Sequence, residues 1–135
     1  MRVLVVEVNS AYFALSMETV HQVMRRPIVT RVPLAPEGLL GVVNVRGEIV
    51  PFLDTGVLTG TGCLTEPGFA VLVQGAGEML AVAAEVLPVQ ADFEGPVGPG
   101  TRPGELGLYS HGAHLAMLID VEALANSRLE SKRAS

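Results

Sequence analysis

The sequence predicts an all-β fold built from many short strands, with few helices. Valine is frequent and falls in short apolar runs, and a β-branched side chain fits a pleated sheet better than a helix. The 15 glycines and 9 prolines interrupt these runs, about once every six residues, which is typical of a sandwich or barrel. Hydrophobic residues make up 49% of the chain and charged residues 17%, so a packed core is expected rather than disorder.

The first half of the chain contains two predicted hairpins, each made of two apolar runs that flank a turn signal. The runs are 3–8 and 12–15 around Asn9-Ser10, and 39–45 and 49–53 around Arg46-Gly47-Glu48. Between the hairpins, Met17, Val20, Val23 and Met24 form an apolar stripe at helical spacing, so 17–25 is predicted to be helical. A helical turn leading into a strand is the open alternative. Residues 31–38 are expected to form an ordered irregular connection.

The second half repeats the hairpin pattern and adds a helix. The predicted strands are 69–74 and 78–84 around Gly75-Ala76-Gly77, 87–91, and 106–109 and 114–119 around 110–113. Residues 92–105 contain four glycines and three prolines and are predicted to form a mobile surface loop. Asp120 can cap a helix over 121–129. The tail 130–135 is predicted to be flexible.

Charge and cysteine content exclude several classes of function. The formal net charge is -5, which does not favour a nucleic-acid partner, because binding to phosphates needs a clustered basic surface. Cys63 is the only cysteine, so neither an internal disulfide nor a thiolate zinc cluster is expected. No apolar run approaches the roughly 18 residues of a membrane span. A cytoplasmic protein without membrane insertion is expected.

Few residues suggest catalysis. His111 and His114 lie three residues apart, but Gly112 between them favours a turn, and no metal or other cofactor is predicted. Asp54 precedes Thr55-Gly56-Val57 and reads better as a helix cap than as an acid-base group. The alternative function is a small metal- or carboxylate-dependent hydrolase, which requires His111, His114 and Asp54 to meet in one pocket. A purely structural, self-associating subunit is a third possibility.

The stretch GVVNVRGEIVPFLD, residues 41–54, resembles the signature of the CheW family of chemotaxis adaptors. That signature reads approximately Gly-Val-x-Asn-Leu-Arg-Gly-x-Ile-x-Pro-Val-x-Asp-Leu. Val20-His21-Gln22-Val23 is similar to the family's Val-x-Glu-Val, and 118–124 is similar to its closing strand and helix. The resemblance extends from residue 3 to about residue 126. One departure is Ala84, where the family usually has Asp, and this leaves the identity of the partner open.

The resemblance implies two intertwined five-stranded SH3-like β-barrels, with a short helix after the first crossover region and a C-terminal helix. The chain would be a single CheW-like domain over 1–135. The first barrel would consist mainly of residues 16–66 and the second mainly of residues 69–110, with the terminal strands crossing over between them.

The resemblance also implies a function without catalysis. Members of the family bridge the regulatory domain of a CheA-type histidine kinase and the cytoplasmic tip of a chemoreceptor. Carried over by position, the partner-binding residues would be Val20, Gly41 and Arg46. Asn44 and Gly47 also match the signature and are expected to serve mainly structural roles, since glycine allows a tight turn.

Overall fold

The computed structural model describes residues 1–64 and 66–134, which form ten strands and two helices. The first six elements are β1 (Arg2–Val8), β2 (Ala11–Ser16), β3 (Val20–Arg25), β4 (Leu39–Val45), β5 (Glu48–Leu53) and α1 (Thr55–Thr59). The remaining six are β6 (Phe69–Gln74), β7 (Met79–Ala84), β8 (Val89–Asp92), β9 (Glu105–His111), β10 (His114–Ile119) and α2 (Val121–Ala134). Neither helix of this described part is long and apolar enough to cross a membrane.

The strands form two five-stranded sheets. The terminal sheet has the order β8-β1-β2-β10-β9, and the central sheet has the order β3-β6-β7-β5-β4. Pairing is antiparallel except between β2 and β10 and between β5 and β7, which are parallel. The prediction of an all-β fold with two five-stranded units, a short helix and a C-terminal helix is confirmed. Because β1 and β2 pair with strands near the other end of the chain, the terminal sheet cannot form from one continuous half.

The β6–β7 hairpin lies in the central sheet, so the division into 16–66 and 69–110 was wrong for residues 69–84. β6 pairs with β3, and β7 pairs in parallel with β5. β6 and β7 lie in the central sheet because both strands are buried along nearly their whole length. Strands that are apolar on both faces need neighbours on both sides and covered faces. The inner positions of the central sheet provide both.

Residues 20–25 form strand β3, so the helix predicted over 17–25 is wrong and the alternative of a turn leading into a strand is correct. The turn is closed by the Thr19 amide and hydroxyl, which both donate to the Ser16 carbonyl, at 3.0 and 2.8 Å. Val23 then pairs with Val71 of β6. Val20 and Val23 are compatible with a helix or a strand, and the strand forms because it pairs with β6.

Helix α2 begins as predicted and ends later. The Asp120 carboxylate accepts a hydrogen bond from the Ala123 amide at 3.2 Å, which confirms the cap. The helix continues to Ala134, five residues beyond the predicted end at Leu129. The side chains from Leu129 onward and all of Ser135 lie outside the described residues, so the flexibility of 130–135 stays a prediction.

The segment predicted as a surface loop, 92–105, is packed in part against the terminal sheet. Phe93 is buried and stacks on Tyr109 with ring centroids 5.0 Å apart. The Val97 amide donates to the Leu108 carbonyl at 2.7 Å, and the Leu108 amide donates to the Gly98 carbonyl at 2.9 Å. The glycines and prolines therefore shape an irregular strip along β9.

The core joins the two sheets because β1 is buried on both faces. Val3 and Val5 pack into a smaller cluster with Phe93 and Tyr109. Leu4, Val6 and Val8 point the other way. They join a larger cluster that includes residues of the central sheet and of α2. The near-continuous apolar run at the start of the chain reflects this double burial, and it makes the two sheets one folding unit.

Candidate functional site

The β4–β5 hairpin ends in a two-residue turn formed by Arg46 and Gly47. Val45 pairs with Glu48, and the two turn residues have φ angles of 52° and 86°, as a two-residue turn of this kind requires. The Asn44 side-chain oxygen accepts a hydrogen bond from the Gly47 amide at 2.8 Å. Asn44, Arg46 and Gly47 are exposed, so the hairpin presents a fixed polar tip to solvent.

Arg46 does not share a strand face with Asn44, although the two polar residues alternate with Val43 and Val45 in the sequence. The register of the hairpin ends at Val45 and Glu48, which places Arg46 in the turn. A positive φ is uncommon for arginine. Asn44 supports the turn through its hydrogen bond from the Gly47 amide.

Gly41 has a structural reason for being glycine. It lies in β4 at an irregularity between Leu39 and Gly41, with a φ of 153°. A Cβ there would lie 2.4 Å from the Thr30 carbonyl oxygen and 2.7 Å from Cγ1 of Val29. The Thr30 and Val42 backbones exchange two hydrogen bonds of 2.9 and 2.8 Å beside it. Gly41 is buried and lets the segment around Thr30 approach the edge of β4.

Val20 lies apart from the other predicted site residues. It begins β3, pairs with Val73 and packs against the larger core cluster. β3 and β4 are the two outer strands in the order of the central sheet, with three strands between them. Of the five predicted residues, the structure therefore brings together Asn44, Arg46 and Gly47.

Two exposed isoleucines were missed by sequence reasoning, one on β5 of this hairpin and one on the segment that precedes Thr30. Ile28 is 88% exposed and Ile49 is 61% exposed. Asn44 pairs with Ile49 across the hairpin. Thr30 and Val42 form an isolated antiparallel bridge, and continuing that register by two residues would place Ile28 opposite Asn44. We call Ile28, Asn44, Arg46, Gly47 and Ile49 the tip surface. Ile49 escaped notice because both faces of β5 carry apolar residues, so alternation does not show which residue points outward.

The tip surface lies in the basic part of the chain. Residues 20–53 contain four arginines and two glutamates, a formal charge of +2 within a chain of -5. Among the described residues these arginines form no salt bridge. Arg25 lies over the Phe69 ring at 5.6 Å. The excess of positive charge in the segment that includes the tip favours approach of a negatively charged partner.

Asp54, the last residue of the signature, begins a second region. We call residues 54–64 the α1 segment. The Asp54 carboxylate accepts hydrogen bonds from the amides of Gly56 at 2.9 Å, Val57 at 3.2 Å and Leu64 at 3.1 Å, which confirms the predicted cap. Thr55 and Thr59 are also buried. The Thr55 hydroxyl donates to the Ala83 carbonyl at 2.5 Å.

Side chains from other parts of the fold hold the end of α1. Arg102 donates to the Thr59 carbonyl at 2.7 Å, and Arg128 donates to the Val57 carbonyl through Nε at 3.0 Å. The Asn9 side-chain amide donates to the Gly62 carbonyl at 2.8 Å. These contacts tie the terminal sheet, α2 and the 92–105 strip to the α1 segment.

The three groups of the alternative hydrolase do not converge. Asp54 follows β5 of the central sheet and is engaged by backbone amides. His111 and His114 face each other across β9 and β10 of the terminal sheet. Residues 1–64 and 66–128 contain no group of three or more His, Cys, Asp or Glu residues that could hold a metal ion. The arrangement does not support that hydrolase.

Comparison with known proteins agrees with this architecture. The CheW-like domain family matches residues 2–129. The crystal structure of the scaffolding protein TtCheW from Thermoanaerobacter tengcongensis superposes with a TM-score of 0.74 at 21% identity, covering 88% of each chain. No curated protein matches the sequence. Since the family match extends over nearly the whole chain, this protein belongs to the CheW-like domain family.

Proposed function

We propose that the protein is an adaptor that couples the cytoplasmic tip of a chemoreceptor to the regulatory domain of a CheA-type histidine kinase. The observation that carries this proposal is the tip surface, which presents exposed isoleucines and an arginine on a rigid hairpin in a protein of the CheW-like family. The function needs no catalysis and no cofactor, and a cytoplasmic location remains the prediction.

The tip surface has the composition of a protein contact. Ile28 and Ile49 are largely exposed, and fully burying an aliphatic side chain of this size is worth about 1.5–3 kcal/mol. Arginine is enriched among the residues that dominate binding energy, because its planar head pairs with carboxylates and stacks on rings. The turn that carries Arg46 limits the conformational freedom lost on binding.

Charge indicates what kind of partner surface fits. The formal charge of +2 over residues 20–53 favours a partner with acidic residues around an apolar centre. Such complementarity mainly raises the association rate and is screened by salt. We therefore expect association at the tip surface to slow as ionic strength rises.

Coupling two partners requires a second surface, and the terminal sheet offers one at its edge. β8 is the outer strand beside β1, and Val86, Leu87 and Val89 near it are exposed. An edge strand has unpaired backbone groups that a partner strand can bind. Holding one partner at each surface would raise the effective concentration of the kinase at the receptor.

Calorimetry with the purified kinase regulatory domain and a cytoplasmic receptor fragment, both from the same genome, tests the proposal. We expect the protein to bind each partner and to sediment with both in one complex. Binding to neither would overturn the proposal. Light scattering of the protein alone tests the alternative that the protein is a purely structural subunit. Such a subunit would self-associate and would bind neither partner.

A further inference from the structure

The two histidines at the end of the β9–β10 hairpin form a pair that the adaptor function does not use. His111 and His114 are direct cross-strand partners, separated by the turn Gly112-Ala113. Side chains of directly paired residues lie on the same face of a sheet, with Cβ atoms about 4.5–5.5 Å apart. The sequence spacing alone could not show this, because a turn can also direct the two side chains apart.

Contacts with Tyr12 confirm that both imidazoles lie on one face. The Tyr12 ring centroid lies 5.6 Å from that of His111 and 4.8 Å from that of His114. Tyr12 pairs with Ala116, two residues beyond His114 on the same strand. Residues two apart on a strand share a face, so the three rings form one cluster on the terminal sheet.

Both imidazoles are free to take a ligand. Neither side chain forms a hydrogen bond or salt bridge with any residue of 1–64 or 66–128. His114 is exposed and His111 is half-buried. A ligand can therefore reach the ring nitrogens without breaking a hydrogen bond or salt bridge among these residues.

We propose that His111 and His114 bind a divalent zinc-type ion through one nitrogen of each imidazole, with water in the remaining positions. Imidazole suits Zn²⁺, Cu²⁺ and Ni²⁺ rather than Mg²⁺ or Ca²⁺, which prefer oxygen ligands. At Zn–N distances of about 2.0–2.1 Å, two nitrogens of a tetrahedral ion lie about 3.3 Å apart. Two side chains with the cross-strand spacing above reach that separation by rotation about their side-chain bonds.

Titration of the protein with Zn²⁺ alone, followed by calorimetry and by NMR of the imidazole nitrogens, tests the site. All samples should carry Cys63→Ser, because Cys63 is an exposed free thiol and thiolates bind zinc. We expect one Zn²⁺ per chain, with shifts at both His111 and His114. His111→Asn and His114→Asn should each weaken binding at least tenfold.

The third histidine provides a matched control. His21 is exposed on β3 of the other sheet, so His21→Asn should leave the affinity for Zn²⁺ unchanged. Replacing Zn²⁺ by Mg²⁺ should give no binding. The proposal is overturned if His111→Asn and His114→Asn bind Zn²⁺ like the parent, or if His21→Asn loses as much affinity as they do. An NMR spectrum of each variant establishes that it is folded.

Discussion

The signature stretch carries the tip hairpin in its middle and the first residue of the α1 segment at its end, yet the two regions use polar residues in opposite ways. In the α1 segment Asp54, Thr55 and Thr59 are buried, and no buried side-chain polar atom of the described residues lacks a hydrogen-bond partner. At the tip, Arg46 is exposed and positioned by a turn. One region stabilises the fold, and the other is available to a partner.

This difference separates two kinds of variant. A substitution in the α1 segment should lower the free energy of unfolding, because buried groups lose partners or space. A substitution at the tip should lower affinity for a partner and leave stability nearly unchanged, because few internal contacts are lost.

Gly56→Ala should destabilise the protein by about 3 kcal/mol, at the upper end for overpacking. A Cβ at Gly56 would lie 1.8 Å from the Gly62 carbonyl oxygen and 2.8 Å from the Asn9 side-chain nitrogen, so the backbone must move. Urea denaturation measures the change. Gly77→Ala is the control, since a Cβ there meets nothing within 4 Å. Equal stability of the two variants would contradict the prediction.

Asp54→Ala should cost about 2.5 kcal/mol, because a helix cap is lost and buried amides are left without acceptors. Asp54→Asn should cost less, since its remaining oxygen can still accept from Gly56 and Val57. Thermal and urea unfolding compare the two. If both variants unfold like the parent, the carboxylate does not stabilise the α1 segment.

Arg46→Asn should weaken binding at the tip surface by about 2 kcal/mol, as loss of an interface anchor does. Asparagine is chosen because it tolerates the positive φ of this turn better than alanine, so stability should change by less than about 0.5 kcal/mol. Calorimetry with the kinase domain and the receptor fragment measures the affinity.

The matched variant for Arg46 is Arg2→Ala. It also removes one positive charge, but from an exposed salt bridge with Asp92 on the terminal sheet. The Arg2→Ala protein should bind the partner of the tip surface with the same affinity as the parent. An Arg46→Asn protein with parental affinity for both partners would remove Arg46 from the binding surface.

Glu105 should produce the smallest effect, a pH dependence of stability. A hydrogen bond from the Thr101 amide, with further bonds and charge from Arg102, lowers the pKa of Glu105 below its usual 4.5. Because the folded-state pKa is depressed, this stabilisation is present above the unfolded pKa and is lost as pH falls through the folded pKa. The stability difference between the parent and Glu105→Gln should therefore shrink below about pH 4.5. Denaturation at several pH values checks this, and a constant difference would contradict it.

Local patterns predicted the hairpins and caps well. Turn signals such as Asn9-Ser10 and Arg46-Gly47 lie between strands in the structure, and Asp54 and Asp120 cap the two helices. These features depend on residues close together in sequence, whose geometry is set by steric limits and by short-range hydrogen bonds. The signature also located the hairpin that carries Arg46.

The wrong predictions concern residues whose structure depends on pairing with strands that are distant in sequence. Residues 20–25 carry a pattern compatible with helix or strand, and contact with β6 decides between them. The placement of 69–84 in the central sheet depends on β3 and β5, which are distant in sequence.

The amino-acid sequence alone determined the β class, the positions of the hairpins and the family resemblance, because these follow from composition and from neighbouring residues. Tertiary structure decided which strands share a sheet, that Ile49 is exposed beside the Arg46 turn, and that His111 faces His114. Each of these depends on the register between strands, and a shift of one residue moves a side chain to the opposite face.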